Sequence, residues 1–223
     1  MTISTDRSQE EVPLEEKIAF LSSPAAYAAA VGTVTRRETH MSWVFLAGDR
    51  AYKLRKPVRY PFLDFSTREA READCRAEIR LNRRLAPAVY LGLARLTRDA
   101  DGRLALDGEG QTVDWLVRMR RLPEDGMLDH AIGRGTVTEA SIERLAAVLA
   151  RFYRALDPVR VALGDYLAGF VHQQYQNRAL LSDPRLAPAA VEWAPVLDGL
   201  DALLARAPQL LAARARTGRI VEG

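Results

Sequence analysis

Trp43-Val44-Phe45-Leu46, then Gly48-Asp49, then Arg50-Ala51-Tyr52-Lys53-Leu54-Arg55 is the stretch that decides the fold class. The first four residues are a continuous apolar run, and the Gly-Asp pair marks a tight connection. The last six form the next strand, so the pattern predicts two antiparallel strands joined by a short turn. Alternation places Ala51, Lys53 and Arg55 on one face of the second strand and Tyr52 and Leu54 on the other. Just upstream, Val31 to Met41 carries Val31, Thr33, Val34 and Thr35 and reads as a further strand. Three antiparallel strands therefore follow one another.

Outward from this core the elements alternate in type. Leu14 to Phe20 reads as a short helix, and Ser22-Ser23-Pro24 breaks it before a second one over Ala25 to Ala30. Downstream, Phe62-Leu63-Asp64-Phe65 leads to Ser66 with Glu69 three residues on, a capping box that opens a helix from about Thr67 to Leu85. Helical spacing puts Glu78 on the face of Cys75, Leu81 and Leu85, and Pro87 ends the helix. Leu91 to Arg98 and Leu104 to Leu106 are strands around the Asp101-Gly102 turn, and Val113 to Met119 is another. From Thr136 the period changes. A second capping box, Thr136 and Glu139, opens an amphipathic helix bearing Ile142, Leu145, Val148, Leu149 and Phe152. Tyr166 to Leu181 and Val191 to Leu211 are helical too, with Pro184, Pro188 and Pro208 as punctuation, and Gly218 turns the chain into a last strand, Arg219 to Val221. The layout is α+β. Residues 1–11 form a disordered tail, 12–121 a β-rich lobe of about five antiparallel strands with one main helix, and 122–223 a helical lobe.

Bulk properties narrow the function classes. The chain has 223 residues, 48% hydrophobic and 27% charged, with a net charge of +3, which is ordinary globular composition. One cysteine, Cys75, excludes an internal disulfide, and three histidines leave little for a structural zinc site. Met1 to Glu16 is polar and acidic, unlike a secretory signal, and Ala25 to Val34 is too short an apolar stretch to span a bilayer, so the expected location is cytoplasmic with no membrane partner. Arg50 to Arg84 holds eleven Lys/Arg against five Asp/Glu. That excess is either a solvated helix face or a phosphate-facing patch. The basic helix lacks interleaved aromatics, so nucleic acid is the least favoured partner.

The chemistry-bearing residues gather around the second strand. A small residue two before a lysine suits an ATP pocket: Ala51 lets an adenine ring lie flat on the sheet, and the Lys53 ammonium lies one pleat further on, where phosphates go. A lysine half buried under a sheet needs a counter-charge. Glu78 on the inward side of the next helix supplies it and aims the ammonium, while Glu72 competes from a position farther from the Leu81/Leu85 face. Val117 to Pro123 runs out of a strand as Arg120-Arg121-Leu122-Pro123 and offers backbone N–H and C=O groups to adenine. Glu38-Thr39-His40-Met41-Ser42 overhangs the phosphate position but lacks the glycines of a nucleotide-covering loop, so Ser42 or His40 would donate hydrogen bonds instead. Each motif alone also has a plain reading, as a surface lysine, an exposed carboxylate, a strand exit or a loop histidine. No P-loop and no G-x-G-x-x-G occurs, nor H-E-x-x-H or G-x-S-x-G, and His172 and Asn177 have no aspartate between them.

Taken together, Glu38 to Leu46, Ala51 to Val58, Phe62 to Thr67, Cys75 to Pro87, Val117 to Pro123 and Met127-Leu128-Asp129 resemble a bacterial group of aminoglycoside-phosphotransferase-like proteins. In that group a kinase-like domain is often followed by a separate P-loop ATPase domain. The resemblance implies a protein-kinase-like fold with an antiparallel β N-lobe and a helical C-lobe. It implies ATP as the nucleotide, with Lys53 on the α/β-phosphates, Glu78 orienting it, and Arg120 and Leu122 as hinge contacts. Tyr153 stands where many relatives carry a histidine. The family's His-Gly-Asp catalytic loop normally follows a segment like Gly218 to Gly223, so the expectation is an incomplete C-lobe with no catalytic residue in this chain, weak ATP binding and no phosphate transfer. Mg²⁺ is expected only in a full-length relative. The resemblance thus implies an ATP-dependent phosphotransferase of a small-molecule acceptor in incomplete form, or alternatively a non-catalytic nucleotide-binding or scaffold module, pseudokinase-like. It also implies apolar surface on the helical lobe through which copies associate.

Overall fold

The computed structural model describes residues 11–28, 31–60, 63–183, 193–206 and 208–221. The chain divides into two compact units, Met1–Val137 and Thr138–Gly223. The fold is mixed α+β, with the strands in the first unit. Most of the expected N-terminal tail lies outside the described residues, as do Phe62, Pro184, Pro188, Val191, Glu222 and Gly223.

In the first unit, β1 (Val34–Glu38), β2 (Ser42–Ala47) and β3 (Arg50–Arg55) follow one another as antiparallel neighbours. Gly48 takes φ 57 at the first central position of the two-residue β2–β3 connection, the position a type II′ hairpin turn reserves for glycine. β4 (Arg59–Tyr60) and β5 (Leu63–Asp64) make a separate small hairpin, and α2 (Arg68–Asn82) comes next. β6 (Tyr90–Arg98), β7 (Leu104–Leu106) and β8 (Gln111–Arg120) complete a six-stranded sheet in the order β1-β2-β3-β8-β6-β7. The six strands of this sheet are the segments read as strands from the sequence, one more than the total of about five given for the lobe, and the β4–β5 hairpin is an addition to them.

The sheet is covered on both faces, and strand alternation decides which residues go where. Leu116 and Val117 are neighbours in β8 and both fully buried, but they serve opposite faces. Leu116 joins Phe45, Leu54, Ala94 and Leu96 beneath Leu21 of α1 (Leu14–Ser22). Val117 joins Cys75 and Ile79 of α2, with Leu93, Trp115 and Met119 around them. Lys53 pairs across the ladder with Val117 and Leu54 with Leu116, so Lys53 belongs to the α2 face.

Several local expectations are corrected. The second helix over Ala25 to Ala30 is only a single 3₁₀ turn, Pro24–Ala26, among the described residues. The chain leaves it because the Tyr27 hydroxyl donates to Leu21 O at 2.6 Å and its ring packs on Tyr52. α2 is capped by Thr67, whose hydroxyl accepts from Ala70 N, while Ser66 donates from both N and Oγ to Asp64. α2 also ends at Asn82, which leaves Leu85 exposed rather than on the buried face. Thr67→Ala is expected to lower stability by about 1 kcal/mol, read from the urea midpoint, because it orphans a first-turn N–H. An unchanged midpoint would show that water replaces the cap without cost.

After α3 (Leu128–Gly133), the second unit begins with α4 (Glu139–Arg154). Its cap is Thr138, which accepts from Ser141 N, and not Thr136, whose hydroxyl donates to Ala131 O. α5 (Leu163–Leu181) packs on α6 (Ala194–Arg206) and α7 (Pro208–Arg216), burying Leu197 and Ala212. The helical stretch read up to Leu211 is two helices punctuated at Pro208, which has no N–H to continue a ladder and instead opens α7. The last strand reduces to one antiparallel bridge, Val221 with Pro158. Apolar side chains of α4 remain open to solvent, among them Ile142, Leu145, Val148 and Leu149. No described helix is long and apolar enough to cross a membrane.

Candidate functional site

β3 lies inside the sheet between β2 and β8, and its α2-facing residues are Ala51, Lys53 and Arg55. α2 turns Arg71, Asp74, Cys75 and Glu78 toward them, a set spaced i, i+3, i+4, i+7 that forms one helical stripe. Lys53 Nζ donates to both oxygens of Glu78, at 3.0 Å to Oε1 and 3.2 Å to Oε2. The Lys53 side chain is 24% exposed and that of Glu78 10%, so the pair is partly desolvated. Glu72 points elsewhere and pairs with Arg76 at i,i+4.

Two residues that sequence reasoning did not single out complete the cluster. Arg55 Nη2 reaches Glu78 Oε2 and lies 2.5 Å from Asp74 Oδ2, while Nη1 donates to Ser42 Oγ at 3.0 Å. Its guanidinium also sits over the Phe65 ring at 5.4 Å. The signal was available in the chain: Arg55 is two residues from Lys53 on the same strand face, and Asp74 is four before Glu78 on the same helix face. Two cations and two carboxylates therefore share one partly buried space.

The remaining candidates fall around this cluster. Ala51 is buried and pairs across the ladder with Met119. Ser42 is buried, with its hydroxyl oxygen accepting from Arg55, and the loop before it is closed by Thr39, which exchanges hydrogen bonds with Ser42 backbone atoms. His40 stacks near Tyr60 at 6.1 Å between centroids. Arg120 donates its backbone N–H to Val89 O and Arg121 donates to Asp49 O, both at 2.8 Å. Leu122 follows, exposed at the strand exit. His172 lies on α5 beside Gln176. Among the described residues no three of His, Cys, Asp and Glu converge as a metal-ligand set.

Cys75 lies between Asp74 and Glu78 in chain order but is chemically apart from them. Burial, reinforced by the Asp74, Glu78 and Asp114 carboxylates against the opposing charge of Arg55, pushes its thiol up from 9.0 to about 12. The unfolded chain loses this proton above about pH 9, whereas the native chain holds it to about pH 12. The thiol's contribution to stability is therefore whole below pH 9 and falls as pH rises through that window. At pH 8 the folded chain is expected to leave an aromatic disulfide reagent unreacted and the urea-unfolded chain to consume one equivalent. Rapid reaction of the folded chain would show that α2 opens readily from the sheet.

Comparison with known proteins adds little chemistry. No family model matches the chain, and no solved structure matches it. Similar proteins include the uncharacterized protein Mb2027c of Mycobacterium bovis and the uncharacterized protein Rv2004c of Mycobacterium tuberculosis, each 42% identical over 118 residues. The matched segment is 53% of this chain and spans 22% of each relative's own length.

Proposed function

We propose that the Met1–Val137 unit is a nucleotide-binding lobe of protein-kinase-like type, belonging to an aminoglycoside-phosphotransferase-like protein that acts on a small-molecule acceptor with ATP. The observation that carries the reading is the Lys53–Glu78 pair, formed between an inner strand and the helix that follows, with the ammonium held at 3.0 and 3.2 Å and the lysine side chain partly exposed. In kinase-like phosphotransferases that pair aims a lysine at the α/β-phosphates. The residues present fit the nucleotide. Ala51 adds almost no bulk above the sheet one pleat from Lys53, and Leu122 is exposed just past β8. ATP would supply the phosphoryl group. The chain's own residues would bind the phosphates through Lys53, hold that lysine in place through Glu78, and meet the base with hinge backbone.

Equilibrium titration with ATP, with and without Mg²⁺, tests this. Weak binding is expected, reduced about tenfold or more in Lys53→Ala, since one charge-assisted contact is worth about 1.5–3 kcal/mol. Glu78→Gln is expected to weaken binding less, because it removes the aim and leaves the charge. No binding by the folded wild-type chain, or equal binding by Lys53→Ala, would overturn the reading.

A further inference from the structure

The contacts between α2 and the sheet form a ladder of opposite-charge pairs. Arg71 pairs with Asp114 of β8, Nε to Oδ1 at 2.9 Å. One turn on, Asp74 pairs with Arg55 of β3. One turn further, Glu78 pairs with Lys53 and with Arg55. The helix presents positive, negative, negative, and the strands answer with negative, positive, positive. A slip of the helix by one turn in one direction brings Asp74 toward Asp114; in the other it brings Arg71 toward Arg55. Either slip sets like charges together in a partly buried space. Arg55 is the middle member, the residue that faces Asp74 and Glu78 of α2 and Ser42 of β2 together.

Arg55 is costly where it stands. Its side chain is 11% exposed, and its Nε is buried with no hydrogen-bond partner among the described residues. A buried ionic group of this kind is seldom the most stable choice for its volume, and the use best attested for one is fixing register. Nη1 of the planar Arg55 fork donates to Ser42 while Nη2 faces both Asp74 and Glu78; Asp74 Oδ2 makes no hydrogen bond among the described residues, so its pairing with Arg55 is one of charge.

We propose that Arg55, anchored by Asp74, is a positioning residue that fixes the Glu78 carboxylate so that Lys53 is held ready for a polyphosphate. The inference rests on the nucleotide reading above for its purpose, but not for its geometry. The alternative is that Arg55 merely competes with Lys53 for Glu78.

The test uses the full chain and two readouts. The first is trace acetylation with acetic anhydride, quantified at Lys53 by peptide-resolved mass spectrometry without nucleotide. The second is ATP titration. Arg55→Lys keeps the charge and removes the fork. Glu78 is then released, Lys53 acetylation is expected to rise about threefold, and ATP affinity to fall about fivefold. Asp74→Asn is expected to act in the same direction, and it carries the test if Arg55→Lys does not fold. Unchanged or slower acetylation in the folded variant overturns positioning and leaves competition or simple charge. If acetylation responds but the wild-type chain binds no ATP, positioning stands and the nucleotide reading falls. If ATP binding depends on Lys53 while neither readout responds to Arg55→Lys, the nucleotide reading stands and positioning falls.

Discussion

Asp114→Ala is expected to destabilise the first unit by about 3–5 kcal/mol, because it breaks a buried ion network by removing one partner. Asp114 is 1% exposed and accepts from two buried cations, Lys17 Nζ at 2.7 Å and Arg71 Nε at 2.9 Å. Lys17 belongs to α1 and Arg71 to α2, so one carboxylate ties the helices of both sheet faces to β8. Burial alone would lower the Arg71 pKa, but the hydrogen bond and charge of Asp114, followed by those of Glu11, raise it above its ordinary value. Without Asp114, both cations would depend on Glu11, whose side chain is 55% exposed. The measurement is urea denaturation followed by circular dichroism. A loss under about 1 kcal/mol would show that the cations find water or turn outward. A sharper control replaces the whole network, Lys17→Met with Arg71→Met and Asp114→Leu. Removing the charges together also removes their desolvation cost, so the triple variant is expected to be more stable than Asp114→Ala alone.

Phe45→Ala is expected to cost about 3–5 kcal/mol by an unrelated route, loss of transfer energy plus a cavity. Phe45 is 0% exposed and lies on the α1 face among Leu21, Leu54, Leu96 and Leu116, in one buried apolar cluster. The comparison is Leu203→Ala on α6, where the side chain is 57% exposed and the change is expected to stay within about 0.5 kcal/mol. Guanidinium midpoints of the two variants give the contrast. Equal losses would mean that Leu203 is covered in solution by an association that this chain alone does not display.

Much of the first unit was legible because its signals are local. The Gly48-Asp49 turn and the alternation through Arg55 specify β2 and β3, and the period of α2 carries Glu78 to its inner face. Caps were less legible. Ser66 and Thr67 are adjacent hydroxyl residues, Thr136 and Thr138 are two apart, and each can bond the backbone in more than one way. The choice fell to whichever hydroxyl was not already engaged: Ser66 by Asp64 and Thr136 by Ala131.

What the sequence determined by itself is therefore periodic: which residues share a strand face, which share a helix stripe, and that Lys53 and Glu78 both point inward. What only the tertiary structure decided is partner choice. Glu78 serves Arg55 as well as Lys53, Asp74 is drawn in, and Lys17, on what the sequence shows only as a short helix, is buried against an aspartate 97 residues away. A side-chain period fixes direction within one element. Whether a charge pointing inward meets an opposite charge, a like one or none depends on which other element arrives there, and that is set by packing of the whole sheet rather than by any window of the chain.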